Sequence, residues 1–361
     1  MEISKKDILK HYLSSILVYG IVLFLLAICP IFNHDIRNPY FNYITVLGVY
    51  YILYIIFAYP LLAKFKPESI LNSQSVSIIN YFKKLFNKNT PLEERLREIE
   101  PQENEKQAFI ILFIKAFFGA YCLSLLCNEF LPALDYDFHF LGAIFGQTLQ
   151  DVQNTGFWNW ILQFIDDSAD MWLKIMITIT TSVYAISYLT DTKFLGSKIK
   201  YADTTPLGIL SCLACFYPFM LITNQLVPMT QDALIPVDNN VLRIVLYVLV
   251  TLVNFISMIA ILRLGAKVGN LTNRGIVTGF PYNIVRHPDY SMQMCYVILT
   301  VIPVCVNVES ILDKFIFAAG GILWLFIYYI RAITEERNLI KDEKYLEYTK
   351  KVKHRFIPGV I

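Results

Sequence analysis

Eight apolar runs, each long enough to cross about 30 Å of hydrocarbon as a helix, constrain this chain more than any other feature. They lie near residues 12–32, 41–63, 108–134, 171–189, 207–229, 240–262, 291–307 and 314–331. Backbone in lipid must satisfy its own hydrogen bonds, and unbroken runs of this length do so as helices rather than as barrel strands. The expected fold is therefore all-α, a polytopic integral membrane bundle of about eight transmembrane helices. Composition agrees, because 56% of the 361 residues are hydrophobic and only 17% are charged, too few to cover a water-facing surface.

Lys and Arg alternate between successive loops, with lone exceptions at Arg37, Lys174 and Lys314, as the positive-inside rule requires of a correct span count. Lys5, Lys6 and Lys10 precede the first run, the 64–107 loop holds eight basic residues, and Lys193, Lys198 and Lys200 follow the fourth run. Between Ala116 and Leu173 there is neither Lys nor Arg, while Asp135, Asp137, Asp151, Asp166, Asp167 and Asp170 accumulate. Both termini, the 263–290 loop and the 332–361 tail are thus expected on the cytoplasmic face. The net charge of +2 offers no basic field for nucleic acid, and no nucleic-acid partner is expected.

The first run is long enough to be a retained helix rather than a cleaved signal. All seven cysteines, Cys29, Cys122, Cys127, Cys212, Cys215, Cys295 and Cys305, sit in apolar runs, where a thiol behaves as a small hydrophobe. The pair Cys212 and Cys215 has no second pair and no nearby His, so packing is favoured over a metal site. Phe157 to Phe164 is Trp-rich and too short to span, and is expected to anchor at the lipid interface. The stretch from Ser73 to Phe86 predicts an interfacial helix, and Lys115, inside the third run, is expected to reach headgroups. No G-x-G-x-x-G follows a predicted strand, so nothing suggests a soluble dinucleotide-binding domain.

Two polar blocks carry the chemistry. The first runs from Asn270 to Tyr290 and ends in Arg286-His287-Pro288-Asp289-Tyr290; the second runs from Arg331 through Glu335-Glu336, Tyr345 and Tyr348 to Arg355 and Pro358. In this order, separated by a helical pair, the blocks resemble the family of isoprenylcysteine carboxyl methyltransferases and phospholipid N-methyltransferases, most of all its bacterial isoprenylcysteine methyltransferase-like members. The resemblance covers roughly residues 190–361. It implies two regions: 1–189, four helices with the 64–107 cytoplasmic loop, and 190–361, a methyltransferase-like core with a cytoplasmic tail.

The resemblance further implies S-adenosylmethionine as cofactor and a lipid or lipidated acceptor entering from the bilayer, in a bacterial inner membrane or a eukaryotic endomembrane. Tyr282, Arg286, His287, Tyr290, Glu335 and Glu336 match its cofactor-binding positions, with Arg286, His287 and Glu336 as the catalytic set. Such a ligand carries a carboxylate, an ammonium, hydroxyls, an aromatic ring and a sulfonium, so a cation, an anion and aromatic surface are needed together. Phe280 replaces a usual glycine and Asn283 a frequent arginine, which makes Phe280 a candidate to crowd the cofactor. Two other readings accompany the methyltransferase: a non-catalytic membrane subunit that retains the fold, and an NADPH-dependent sterol-reductase-like enzyme.

Overall fold

A computed structural model describes residues 4–28, 43–53, 56, 73–87, 91, 100–127, 153–154, 156–217, 219–220 and 239–360. Much of the runs at 41–63 and 207–229, the charged end of the 64–107 loop and the acidic stretch through Asp151 lie outside the described residues. The described residues are about 75% helix with almost no strand. Among the described residues six helices are long and apolar enough to cross a membrane: Lys5–Ile28, Glu103–Leu125, Met171–Leu189, Asn240–Lys267, Pro288–Asn307 and Ile311–Leu339. The protein is accordingly a multi-pass helical membrane protein.

Contacts divide the chain into two compact units, Met1–Asn128 and Glu129–Ile361. The first holds α1 (Lys5–Ile28), α2 (Tyr43–Leu53), α3 (Gln74–Leu85) and α4 (Glu103–Leu125). The stretch after Ser73 does form a helix, started by the Ser73 hydroxyl, which accepts from Val76 N at 3.3 Å. Val18, Ile78 and Ala108 form the buried cluster that joins α1, α3 and α4. Because α3 lies alongside α4, Lys115 donates to Gln74 Oε1 at 3.3 Å.

The second unit carries α5 (Phe157–Leu189), α6 (Pro206–Leu213), α7 (Asn240–Leu264), α8 (Pro288–Asn307), α9 (Ile311–Leu339) and α10 (Glu343–Lys351). The Trp-rich segment at 157–164 is not a separate anchor: it is the opening of α5, one unbroken helix of 33 residues. Its packing also places α5 with this unit, since Ala169, Leu173 and Met176 cluster with Tyr247, Val250 and Met258 of α7. By packing, the boundary between the two units falls at Asn128.

α7 packs on α5 and α8, and α8 on α9. Helix starts are written locally: Asn239 and Ser310 accept from Leu242 N and Asp313 N at 3.1 and 3.3 Å, and Pro288 occupies the first helical position of α8. Gly321 lets α9 approach α8 closely, because a Cβ there would lie 3.0 Å from Val301 Cγ1. Away from its partners α7 exposes Val241, Val245, Val248, Leu252 and Phe255, an apolar stripe at helical spacing that suits lipid. At 1.5 Å per residue the 29 residues of α9 extend about 43 Å. That is longer than a hydrocarbon core by about two turns, and its last turns carry Glu335 and Glu336.

Candidate functional site

The loop after α7, the start of α8, the end of α9 and the face of α10 line an open cleft. All of its walls belong to the second unit.

The loop wall is shaped by unusual backbone and tied down by buried polar groups. α7 stops at Gly265 with φ of 54°, a conformation that favours glycine. Leu271 adopts φ of 59°, a strain that neighbouring bonds must over-determine. They do so on both sides. Asp203 N donates to Leu271 O at 2.7 Å, where β1 (Tyr201–Ala202) pairs antiparallel with β2 (Thr272–Asn273). Asn270 donates from its backbone and amide to Tyr188 Oη, at 3.0 and 2.7 Å, and accepts from Arg331 Nη2 at 2.8 Å. Arg274, 4% exposed, donates from Nη1 to the carbonyls of Ser187, Thr190 and Ser197 at 2.9, 3.2 and 2.7 Å. It staples the loop to the end of α5.

The opposite wall is Arg286-His287 with the chain's last residues laid against it. Arg286 N donates to His354 O and His287 N to Arg355 O, both at 3.0 Å, and Ser291 Oγ donates to Phe356 O at 2.9 Å. Glu336 closes this arrangement from behind. Arg355 donates from Nε and Nη2 to Glu336 Oε2 at 3.0 and 2.9 Å. His287 Nε2 lies 3.1 Å from Oε1; a carboxylate only accepts, so Nε2 carries the proton. Arg286 Nε is 3.0 Å from Oε1 as an ion pair, although its N–H does not point at the oxygen. α10 clamps the same wall through the Tyr348 hydroxyl, which donates to Tyr282 O at 2.6 Å.

Of the residues expected from the two blocks, Tyr282, Arg286, His287, Tyr290 and Glu335 all line the cleft. Glu336 does not. It is 6% exposed and engaged by Arg286, His287 and Arg355, behind the wall those residues form. Tyr290 stacks on His287, with centroids 5.4 Å apart and planes at 1°, and has the Arg331 guanidinium 5.0 Å from its centroid. Glu335 Oε2 is 3.9 Å from His287 Nδ1 and its side chain is 43% exposed. Phe280 points out, 55% exposed and absent from the cleft wall, and Asn283 is likewise exposed. Phe280 therefore does not crowd the cleft.

Lys267, Arg274 and Asn270 from the loop, Asp289 from the start of α8 and Tyr184 from α5 complete the polar lining. Asp289 was legible in principle, since an acid in the first turn of an apolar span is a signal in itself. Nothing in the sequence distinguishes Tyr184 from other tyrosines in spans. Tyr345 Oη and Arg274 Nη2 are buried without a hydrogen-bond partner among the described residues, and both residues line the cleft. Burial pushes the Tyr345 phenol well up, and the charges of Glu336 and Glu335 add to this, so it stays a neutral donor. No family model, no curated protein and no solved structure matches this chain.

Proposed function

We propose that this chain is an integral membrane methyltransferase that binds S-adenosylmethionine in the cleft and methylates a lipid-like or lipidated acceptor from the bilayer. The observation that carries the reading is the convergence of both polar blocks, about forty residues apart, on one cleft containing cations, the acids Asp289 and Glu335 and several tyrosine rings. Convergence was not guaranteed by sequence order. The charge alternation of the loops supports an opening on the cytoplasmic side.

The donor set fits the cofactor's chemistry. Arg286 and Lys267 are cations suited to its carboxylate, Glu335 is an acceptor for its ammonium or ribose hydroxyls, and Tyr282 offers ring surface. The unpartnered Tyr345 Oη and Arg274 Nη2 are donors that a ligand rich in acceptors satisfies. When bound, the cofactor supplies a methyl group on an activated sulfonium. The chain's own part is alignment and exclusion of water: Glu336 fixes Arg286 and His287, Arg274 fixes the loop, and the tail closes the wall. A carboxylate acceptor requires no base, whereas an ammonium acceptor must first shed a proton.

The test is binding followed by transfer. Purified protein in detergent should be stabilised by S-adenosylhomocysteine and not by NADPH, and should move labelled methyl groups into a host membrane extract. Glu335→Gln and Lys267→Met should weaken that stabilisation. Folded protein that ignores S-adenosylhomocysteine would sink the enzyme reading in favour of a structural subunit; selective stabilisation by NADPH would favour the reductase-like reading.

A further inference from the structure

Asp289 lines the cleft within the first turn of α8. Ser257 Oγ donates to its Oδ1, and the Gln293 amide donates in turn to Ser257 Oγ at 3.4 Å. These are neutral donors, and among the described residues no cation stands within ion-pair distance of it. The neighbouring cations are engaged elsewhere: Arg286 faces Glu336, Arg331 donates to Asn270, and Arg274 holds three backbone carbonyls.

Asp289 is only part-buried and faces the cleft; its place at a helix N-terminus contributes about 0.3–1 kcal/mol, and a cation seated beside it in the cleft would add an ion pair that no side chain supplies. The cation can come from a ligand in the cleft. The rings around Asp289 suit an organic one, since Tyr184 and Tyr282 line the same space. Tyrosine faces beside a carboxylate favour alkylated onium ions over compact, strongly hydrated ones.

We propose that Asp289, with the rings of Tyr184 and Tyr282, forms a subsite for an organic cation, either the amine headgroup of an acceptor or a cofactor sulfonium. The subsite stands on this geometry; its two named sources rest on the methyltransferase reading.

Calorimetry on the full-length protein in detergent separates the cases, using pairs that differ in charge but little in shape: choline against 3,3-dimethylbutan-1-ol, and S-adenosylmethionine against S-adenosylhomocysteine. The cation of at least one pair should bind about tenfold more tightly, and Asp289→Asn should erase that preference. Tyr184→Leu, which leaves the charge in place, should reduce it. Loss of the choline preference assigns the subsite to an acceptor amine, and loss of the sulfonium preference assigns it to the cofactor. If neither pair is discriminated by the wild type, or if a folded Asp289→Asn protein discriminates as well as the wild type, the proposal is overturned. Choline binding that depends on Asp289, without binding of either adenosyl ligand, would leave the subsite standing and remove the methyltransferase reading. Equal binding of both adenosyl ligands with no choline preference would do the reverse.

Discussion

Replacing Glu336 by Gln should loosen the end of the chain before it affects anything else. The carboxylate takes two hydrogen bonds from Arg355 at 3.0 and 2.9 Å, lies 3.1 Å from His287 Nε2 and pairs with Arg286 at 3.0 Å. A hydrogen bond to a charged group is worth about 1.5–3 kcal/mol, and removing one member of a buried ion pair costs about 3–5 kcal/mol. The contacts share one carboxylate and do not add, and Arg355, 28% exposed at its side chain, recovers some hydration. A loss of about 3 kcal/mol follows. At about 2–4 °C per kcal/mol for a unit of this size, the melting temperature in detergent should fall by roughly 6–12 °C. Arg355→Met should cost less, because Glu336 keeps Arg286 and His287, and the double variant should be little worse than Glu336→Gln alone. Limited proteolysis supplies the local readout, since the latch through His354, Arg355 and Phe356 should open and expose the tail. A Glu336→Gln protein that melts with the wild type and keeps a protected tail would refute the reasoning.

Arg274→Met leaves the carbonyls of Ser187, Thr190 and Ser197 without this donor, at about 1–3 kcal/mol for buried groups left unsatisfied. Hydrogen exchange should rise across 265–277 while α8 and α9 stay protected; uniform exchange would contradict a local staple. Acid should destabilise the contact between Asp342 and Lys200. Burial alone would raise the Asp342 pKa, but the Lys200 ammonium, the Asn273 amide and Lys344 N outweigh it and hold the carboxyl below its ordinary 3.8. A depressed folded pKa contributes stability that is present above the ordinary value and is lost as pH falls through the folded one. Thermal stability should therefore decline below about pH 4, and Asp342→Asn should lower the melting temperature at pH 7 while flattening that decline. An unaltered acid profile in Asp342→Asn would exclude this contact as a source.

Membrane embedding and helical class were legible in the sequence because both follow from run length, a property of consecutive residues that lipid reads directly. The polar stretch at 270–290 and the Glu335-Glu336 pair could be singled out for the same local reason, as charge and motif at the ends of apolar runs. Three matters needed the folded chain. Whether Phe157–Phe164 stands alone or continues into α5 depends on packing against α7, and here the helix runs on. Which way Phe280 points depends on the turn that carries it, and it points out. Adjacent acids on a helix differ by about 100° in direction, so whether Glu335 or Glu336 meets the cleft is decided by where α9 sits. It turns Glu335 to the cleft and Glu336 to Arg286, His287 and Arg355. Sequence alone named the residue types that gather in this cleft; the crossing of α8 and α9 and the return of the tail decided which of them face the cleft and which hold the others in place.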